Sequence, residues 1–201
     1  MVGNPEDEQA LIRRATRGDL DAFNALVLQY QDSAYTLAYR IMGDQASAAD
    51  AAQEAMITAY RRLNTYRGGS FRAWLLRITT NQCYDELRRR QRRPAASIDD
   101  MGDEPAIPDD ADTPEEVVQQ RELQRAMQNC INALNADQRI VLVLSDVEGL
   151  EYQAIAENIG AQIGTVKSRL SRARASIRDC LQGVRELLPP AYRLISDEAI
   201  D

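Results

Sequence analysis

Apolar residues recur every three or four positions along most of the chain, and β-branched alternation is scarce, so the pattern predicts an all-α protein. Leu11, Ile12 and Ala15 share one face of a first helix over Asp7 to Arg17, and Gly18-Asp19 marks a stop and restart. Ala22, Phe23, Leu26, Val27 and Tyr30, then Ala34, Tyr35, Ala38, Tyr39 and Met42, carry the apolar face onward until Gly43-Asp44 breaks it. A third helix, about Ala46 to Leu63, turns Ala48, Ala52, Ala55, Ala59 and Leu63 inward. It leaves Asp50, Gln53, Glu54 and Arg61 outward, with Asp50, Gln53 and Glu54 on a face without apolar residues. The loop Asn64 to Ser70 contains paired glycines that permit backbone conformations other residues avoid. A fourth helix follows from Phe71 to about Arg92, with Phe71, Trp74, Leu75, Ile78 and Leu87 as its buried stripe.

The pattern stops at residues 94–112, which hold Pro94, Pro105, Pro108, seven acids, no cation and almost nothing that could make a core. That composition predicts a flexible acidic linker. Thr113-Pro114-Glu115-Glu116 then reads as an N-cap, a proline at the first helical position and an acidic first turn, so a second domain opens there. The chain thus divides into a domain over 1–93, a linker over 94–112, a second domain over 113–182 and a tail over 183–201.

Within the second domain, residues 151–182 form a predicted helix-turn-helix. Ile155, Ala156 and Ile159 fall on one face of a short helix, Gly160 sits where it would stop, and Gly164-Thr165 opens the next. Val166, Leu170, Ala173, Ile177 and Leu181 make the buried stripe of that second helix. Between them lie Thr165, Lys167, Ser168, Arg169, Ser171, Arg172 and Arg174, with no acid until Asp179. Four cations and several short hydroxyls on one helix suit its N-terminal end for the major groove, although a solvated helical hairpin carries the same pattern.

Charge sharpens the choice. The net charge of −7 looks wrong for a DNA binder, but its distribution does not. Residues 61–93 hold ten Arg against Asp85 and Glu86, residues 94–120 hold nine acids and no cation, and the remaining basic cluster lies on the predicted recognition helix. Two basic surfaces separated by an acidic strip allow contact with a polyanion at two places. Zero His excludes Cys-His metal sites and His general bases. Cys83, Cys130 and Cys180 are odd in number and far apart, a spacing that indicates neither a disulfide framework nor a zinc site. No cofactor or metal is expected. No apolar run approaches the roughly 20 residues of a membrane span, so the expectation is a cytoplasmic protein without membrane insertion.

These segments together resemble the extracytoplasmic-function (ECF, group 4) sigma factors of bacterial RNA polymerase, within the sigma-70 family. Leu11-Ile12, Ala15, Gly18-Asp19, Ala22-Phe23, Leu26-Val27 and Tyr30 are similar to the family's opening helices. Asp50-Ala51, Gln53-Glu54 and Ala59-Tyr60-Arg61 resemble its polymerase-docking segment, and Phe71, Trp74-Leu75, Ile78, Asn81, Asp85 and Arg88 its −10 helix. Leu134, Gln138-Arg139, Leu142, Gly149, Tyr152, Ile155-Ala156, Gly164-Thr165-Val166, Ser168-Arg169 and Arg172-Ala173-Arg174 resemble its −35 domain. Met56, where Phe is common, and Ala154, where an acid is usual, depart from the family pattern.

The resemblance implies two small helical domains, a sigma region 2 bundle and a sigma region 4 helix-turn-helix. Core polymerase would be held, by its clamp helices and flap, with Asp50, Gln53 and Glu54 on the clamp. Arg67, Ser70, Arg72, Arg77, Asn81 and Arg88 would meet the −10 element, and the unpaired strand would enter a pocket at the Arg67–Ser70 loop and Asn81. The polar residues of the recognition helix would meet the −35 element. An anti-sigma factor is the expected regulator, and no catalysis is expected. Nineteen linker residues reach about 60 Å at roughly 3.3 Å each, comparable to a promoter spacer of about 17 base pairs at roughly 3.4 Å per step. From the residues alone, a stand-alone helix-turn-helix regulator and a DNA-acting enzyme with an appended helix-turn-helix remain alternatives. The second lacks a preorganised metal pair or a base to activate Ser or Cys.

Overall fold

The computed structural model describes residues 5–92 and 114–187, and every regular element among them is helical. The predicted linker and the tail beyond Leu187 lie outside the described residues, as does Thr113. Four helices make the first unit: α1 (Pro5–Thr16), α2 (Leu20–Met42), α3 (Gln45–Arg62) and α4 (Phe71–Arg92). Four make the second: α5 (Pro114–Asn132), α6 (Ala136–Leu142), which widens into a π turn over Val143–Val147, α7 (Tyr152–Ile159) and α8 (Ile163–Gly183). No described helix is long and apolar enough to cross a membrane.

The boundaries follow local chemistry. Asp19 and Asp44 cap α2 and α3 by accepting the backbone N–H of Ala22 (3.0 Å) and of Ser47 (2.7 Å). Asn135 does the same for α6 through Gln138 N–H at 3.0 Å. Helix α2 stops at Gly43, whose φ of +84° places it in the left-handed region while its N–H reaches Tyr39 O at 2.9 Å. Gly160 ends α7 in the same way at φ +65°.

Two apolar clusters hold these helices. One lies within the first unit, where Phe23, Leu26, Leu63, Phe71 and Leu75 pack with Ala55 and Ala59 of α3. The alanine stripe of α3 lets its neighbours approach closely, which is why so small a helix face can be central. The second cluster crosses between units: Leu37, Ile41, Leu76 and Cys83 of the first pack with Ile140, Val143, Leu144, Ile155 and Leu170 of the second. Helix α4 is therefore covered on two sides. The predicted stripe of Phe71, Leu75 and Ile78 is buried, but so are Leu76, Thr79, Thr80 and Cys83, while Trp74 and Leu87 are only half-buried. Thr79 and Thr80 satisfy their buried hydroxyls on the carbonyls one turn back, Leu75 O and Leu76 O.

Polar contacts complete the seam between units. Arg40 Nη1 donates to Gln128 Oε1 (3.2 Å), and Arg139 Nη1 donates to Ile41 O (2.8 Å). Asn132 lies against Gly43, so close that a Cβ there would meet its side-chain oxygen at 2.3 Å. The cysteines overturn the sequence expectation. Cys130 of α5 and Cys180 of α8 are joined as a disulfide with Cα atoms 5.7 Å apart, and Cys83 is free and buried. Fifty residues of separation hid a pair that only the packing of α8 against α5 brings together.

Gly43→Ala should lower stability by about 1–2 kcal/mol from the left-handed backbone alone, with the displaced Asn132 adding to it. Urea denaturation checks this, the expected outcome being a lower midpoint with an unchanged slope.

Candidate nucleic-acid interface

Helix α8 presents its polar residues on three sides. Val166, Leu170 and Ala173 are buried against α6 and α7, so Ser168, Ser171 and Arg172 on the opposite face point to solvent. On one flank Lys167 and Arg174, with Tyr152, Ser171 and Arg178, line a shallow groove. Thr165 is half-buried in the first turn, and its carbonyl accepts the Ser168 hydroxyl at 3.0 Å.

Two of the four cations are already partnered. Arg174 makes a bidentate pair with Asp146 of the π turn, Nη2 to Oδ1 at 2.7 Å and Nε to Oδ2 at 3.0 Å. Hydrogen bonding from Arg174 holds the Asp146 carboxyl below the usual carboxylate range against the opposing effect of burial. Arg169 turns to the other flank and pairs with Asp137 of α6. Asp137 also accepts the Tyr84 hydroxyl at 2.6 Å. Burial, then that hydrogen bond, raise the Tyr84 phenol above its ordinary value. This path of Arg169, Asp137 and Tyr84 runs from α8 to α4 across the seam. Arg169 thus departs from the expected groove-facing row, whereas Lys167, Ser168, Ser171 and Arg172 are exposed as expected.

The predicted −10 residues divide likewise. Arg67, Arg77 and Asn81 are exposed. Ser70 serves as the cap of α4, its hydroxyl accepting Ala73 N–H at 3.2 Å. Arg88 lies over the Tyr84 ring at 4.8 Å from the centroid. Arg72 reaches across the seam to Glu148 at 2.8 Å, and that carboxylate is only 6% exposed. The loop itself is pinned, since Tyr66 donates its hydroxyl to Gly69 O at 2.6 Å and both Gly68 and Gly69 have positive φ. The ring of Tyr66 packs edge-on against Phe71 and Trp74, each at 5.7 Å between centroids. Phe71 is core, and Trp74 and Tyr66 remain half-buried at the loop.

On α3, Asp50, Gln53 and Glu54 are all exposed and line one cleft with Gln82, Asp85 and Arg89 of α4. The face is less uniformly polar than expected. Ile57 lines the same cleft, and Gln53 also borders a second groove with Val27, Tyr35 and Met56. The helix between the two grooves therefore offers charge on one edge and apolar surface on the other.

Comparison with known proteins accounts for both units. Residues 26–93 match the family description "Sigma-70 region 2" and residues 124–177 match "Sigma-70, region 4". The chain is 40% identical over 185 residues to the RNA polymerase sigma-H factor of Pseudomonas aeruginosa, covering 88% of this chain and 95% of that protein. It belongs to the ECF sigma factors of the sigma-70 family. The ECF RNA polymerase sigma-E factor of Escherichia coli is 34% identical over 181 residues, covering 87% of this chain and 94% of that protein. A third relative, SigE of Mycolicibacterium smegmatis, is 36% identical over 162 residues; the match takes in 81% of this chain and 62% of that longer protein. Among solved structures, the sigma factor RpoE of Bartonella quintana, in complex with the anti-sigma factor NepR, superposes with a TM-score of 0.63 at 26% identity. That match covers 80% of this chain and 96% of RpoE. CnrH, solved with the cytosolic domain of CnrY, shares the fold at TM-score 0.58 and 24% identity, covering 88% and 98%.

In this ECF sigma factor, region 2 and region 4 are docked face to face, with α6 and α7 lying between α4 and α8. Helices pack at about 8–10 Å between axes, so α4 and α8 stand far closer than the promoter spacing estimated above.

The Asp146–Arg174 pair sets a measurable pH dependence. Its carboxyl is depressed on folding, so the pair contributes above the ordinary Asp value of about 3.9 and is lost as pH falls through the folded value. Being partly exposed, it should contribute at most about 1 kcal/mol. Urea denaturation of wild type and Asp146→Asn should differ by that amount at neutral pH and converge in acid.

Proposed function

We propose that this sigma factor recruits core RNA polymerase to promoters by reading a −35 element with α8 and holding the opened −10 element on α4. The observation that carries this reading is that both sigma-70 regions are present in order, each with a helix that exposes cations: Arg77 on α4, and Lys167 and Arg172 on α8. It acts as a transcription initiation factor and leaves catalysis to the polymerase. Its place of action is the cytoplasm, where the polymerase works.

Residues 1–93 would serve as the polymerase- and −10-binding domain and residues 113–182 as the −35-binding domain. Asp50, Gln53 and Glu54 meet the polymerase clamp helices, and region 4 meets the flap. Arg67, Arg77 and Asn81 approach the non-template strand around the rigid loop, with Tyr66 and Trp74 available to stack on an extruded base. Ser70 supports them by capping α4, while Arg72 and Arg88 act once their seam and ring contacts are exchanged for phosphate. Ser168, Ser171 and Arg172 meet base edges and Lys167 the phosphates, with Thr165, Arg169 and Arg174 flanking.

Reading both elements at once requires the docked units to part. That requirement makes the closed arrangement an inactive one, in keeping with control by an anti-sigma factor. The solved complexes of RpoE with NepR and of CnrH with CnrY support that kind of partner.

Run-off transcription with purified core polymerase tests the reading: a specific start should require both components, and specific promoter binding by this chain alone would favour a stand-alone regulator instead. Charge reversal at Asp50 and Glu54 should abolish holoenzyme assembly while leaving thermal stability near wild type, because neither side chain is buried; native gel shift and calorimetry read the two effects. Arg172→Ala should change −35 preference at one or two positions by about 1–3 kcal/mol if it contacts a base, measured on a randomised −35 library. An equal loss on all sequences would assign it to phosphate.

A further inference from the structure

We propose that Cys130 and Cys180 are a redox modification site, exchanging with small thiols and disulfides of the glutathione class, whose oxidised form favours the docked arrangement of regions 2 and 4. This rests on the polymerase-binding reading only for its activity readout.

The two cysteines occupy a particular place in the seam. Cys130 lies on the last turns of α5, between Gln128 and Asn132, and the S–S bond ties it to the C-terminal turns of the recognition helix. Gln128 and Asn132 stand one turn apart on the same face, hydrogen-bonded to each other at 3.0 Å, and both address the end of α2. Gln128 is buried and exchanges bonds with Arg40, donating to its carbonyl at 3.4 Å and accepting from its guanidinium at 3.2 Å. Asn132 donates to Gly43 O at 3.5 Å. The end of α5 is thus a strap with region 2 on one face and α8 on the other. Among the residues of α5 whose burial is described, the buried ones, Ala126, Gln128, Cys130 and Ile131, fall in those last turns. Fixing Cys130 to α8 therefore orders the turn that presents Gln128 and Asn132, and whatever stabilises the docking-competent form of α5 shifts the population toward the closed state.

Compartment chemistry points the same way. Where core polymerase works, thiols are kept reduced, and a disulfide there is characteristically transient and redox-sensing. Cys180 is half-buried and Cys130 is 2% exposed, so attack comes at Cys180. A thiolate adds to Cys180 Sγ, the protein S–S bond breaks, and Cys130 leaves as a thiolate that takes up a proton. A second small thiol attacks the outer sulfur of the mixed disulfide, releasing Cys180 and the small disulfide, so two thiols have given two electrons to the protein. Oxidation is the reverse, with the small disulfide as electron acceptor. Cys83, fully buried on α4, has its thiol pushed up to about 12 by desolvation and stays out of the exchange.

The test uses the full chain equilibrated with oxidised or reduced glutathione, with the pair's state read by alkylation and mass spectrometry. Oxidised wild type should bind core polymerase about fivefold or more weakly than reduced, the lower end for coupled sites, and reduced glutathione should restore it. Cys83→Ala should keep the response, whereas Cys130→Ser and Cys180→Ser should lose it while retaining wild-type helicity. Hydrogen exchange at residues 40–43, read without polymerase, should be slower in the oxidised protein. Full alkylation of both cysteines after oxidised glutathione, or equal exchange at residues 40–43 in both states, overturns the proposal. Failure of reduced protein to bind core at all, with the exchange difference intact, would count against the function reading and not against the site.

Discussion

A half-buried guanidinium, with no carboxylate partner among the described residues, organises the join between the two halves. Arg139 donates to Ile41 O in the last turn of α2, to Asn132 O at the end of α5 and to Leu134 O just beyond it. These carbonyls lie where two helices run out of intrahelical donors, so the cation sits in the negative field of two converging helix ends. Burial lowers its pKa, and its Nε finds no partner, so the site tolerates a desolvated charge because carbonyl dipoles replace water. Around it, Gly43 supplies a left-handed stop without a Cβ, which lets Asn132 close on the backbone. The position of α6, and with it the Asp137 link to α4 and α8, depends on this arrangement.

Helix α8 shows how a protein of net negative charge keeps a cationic surface. Arg174 and Arg169 are held by Asp146 and Asp137 on the two flanks, so the outermost residues, Ser168 and Arg172, keep the centre of the exposed face. Across the seam, Glu148 holds Arg72 of region 2. Acids of region 4 therefore occupy cations of both α4 and α8 in the docked state, and separation of the units would expose Arg72 while leaving the Asp146 pair within region 4.

What the sequence by itself determined was everything carried by local period and local chemistry. The 3.6-residue stripes of α2, α3 and α8, the stops at Gly43 and Gly160, the caps at Asp19 and Asp44, and the family motifs all depend on residues within a few turns of one another. The exposure of Asp50, Gln53 and Glu54 followed from the same rule, because the opposite face of α3 is a row of alanines. What only the tertiary structure decided depends on contacts between distant segments. The burial of Leu76 and Cys83 belongs to a cluster that includes a second helical unit against the other side of α4, which no period within α4 encodes. Arg169 and Arg172 look alike in a string of residues, yet one faces Asp137 and the other solvent, since the choice is set by where α6 lies. Cys130 and Cys180 likewise carry no spacing signal: fifty residues apart, they meet only because α8 packs back against α5, and proximity through a fold is a property of the packed chain rather than of its local pattern.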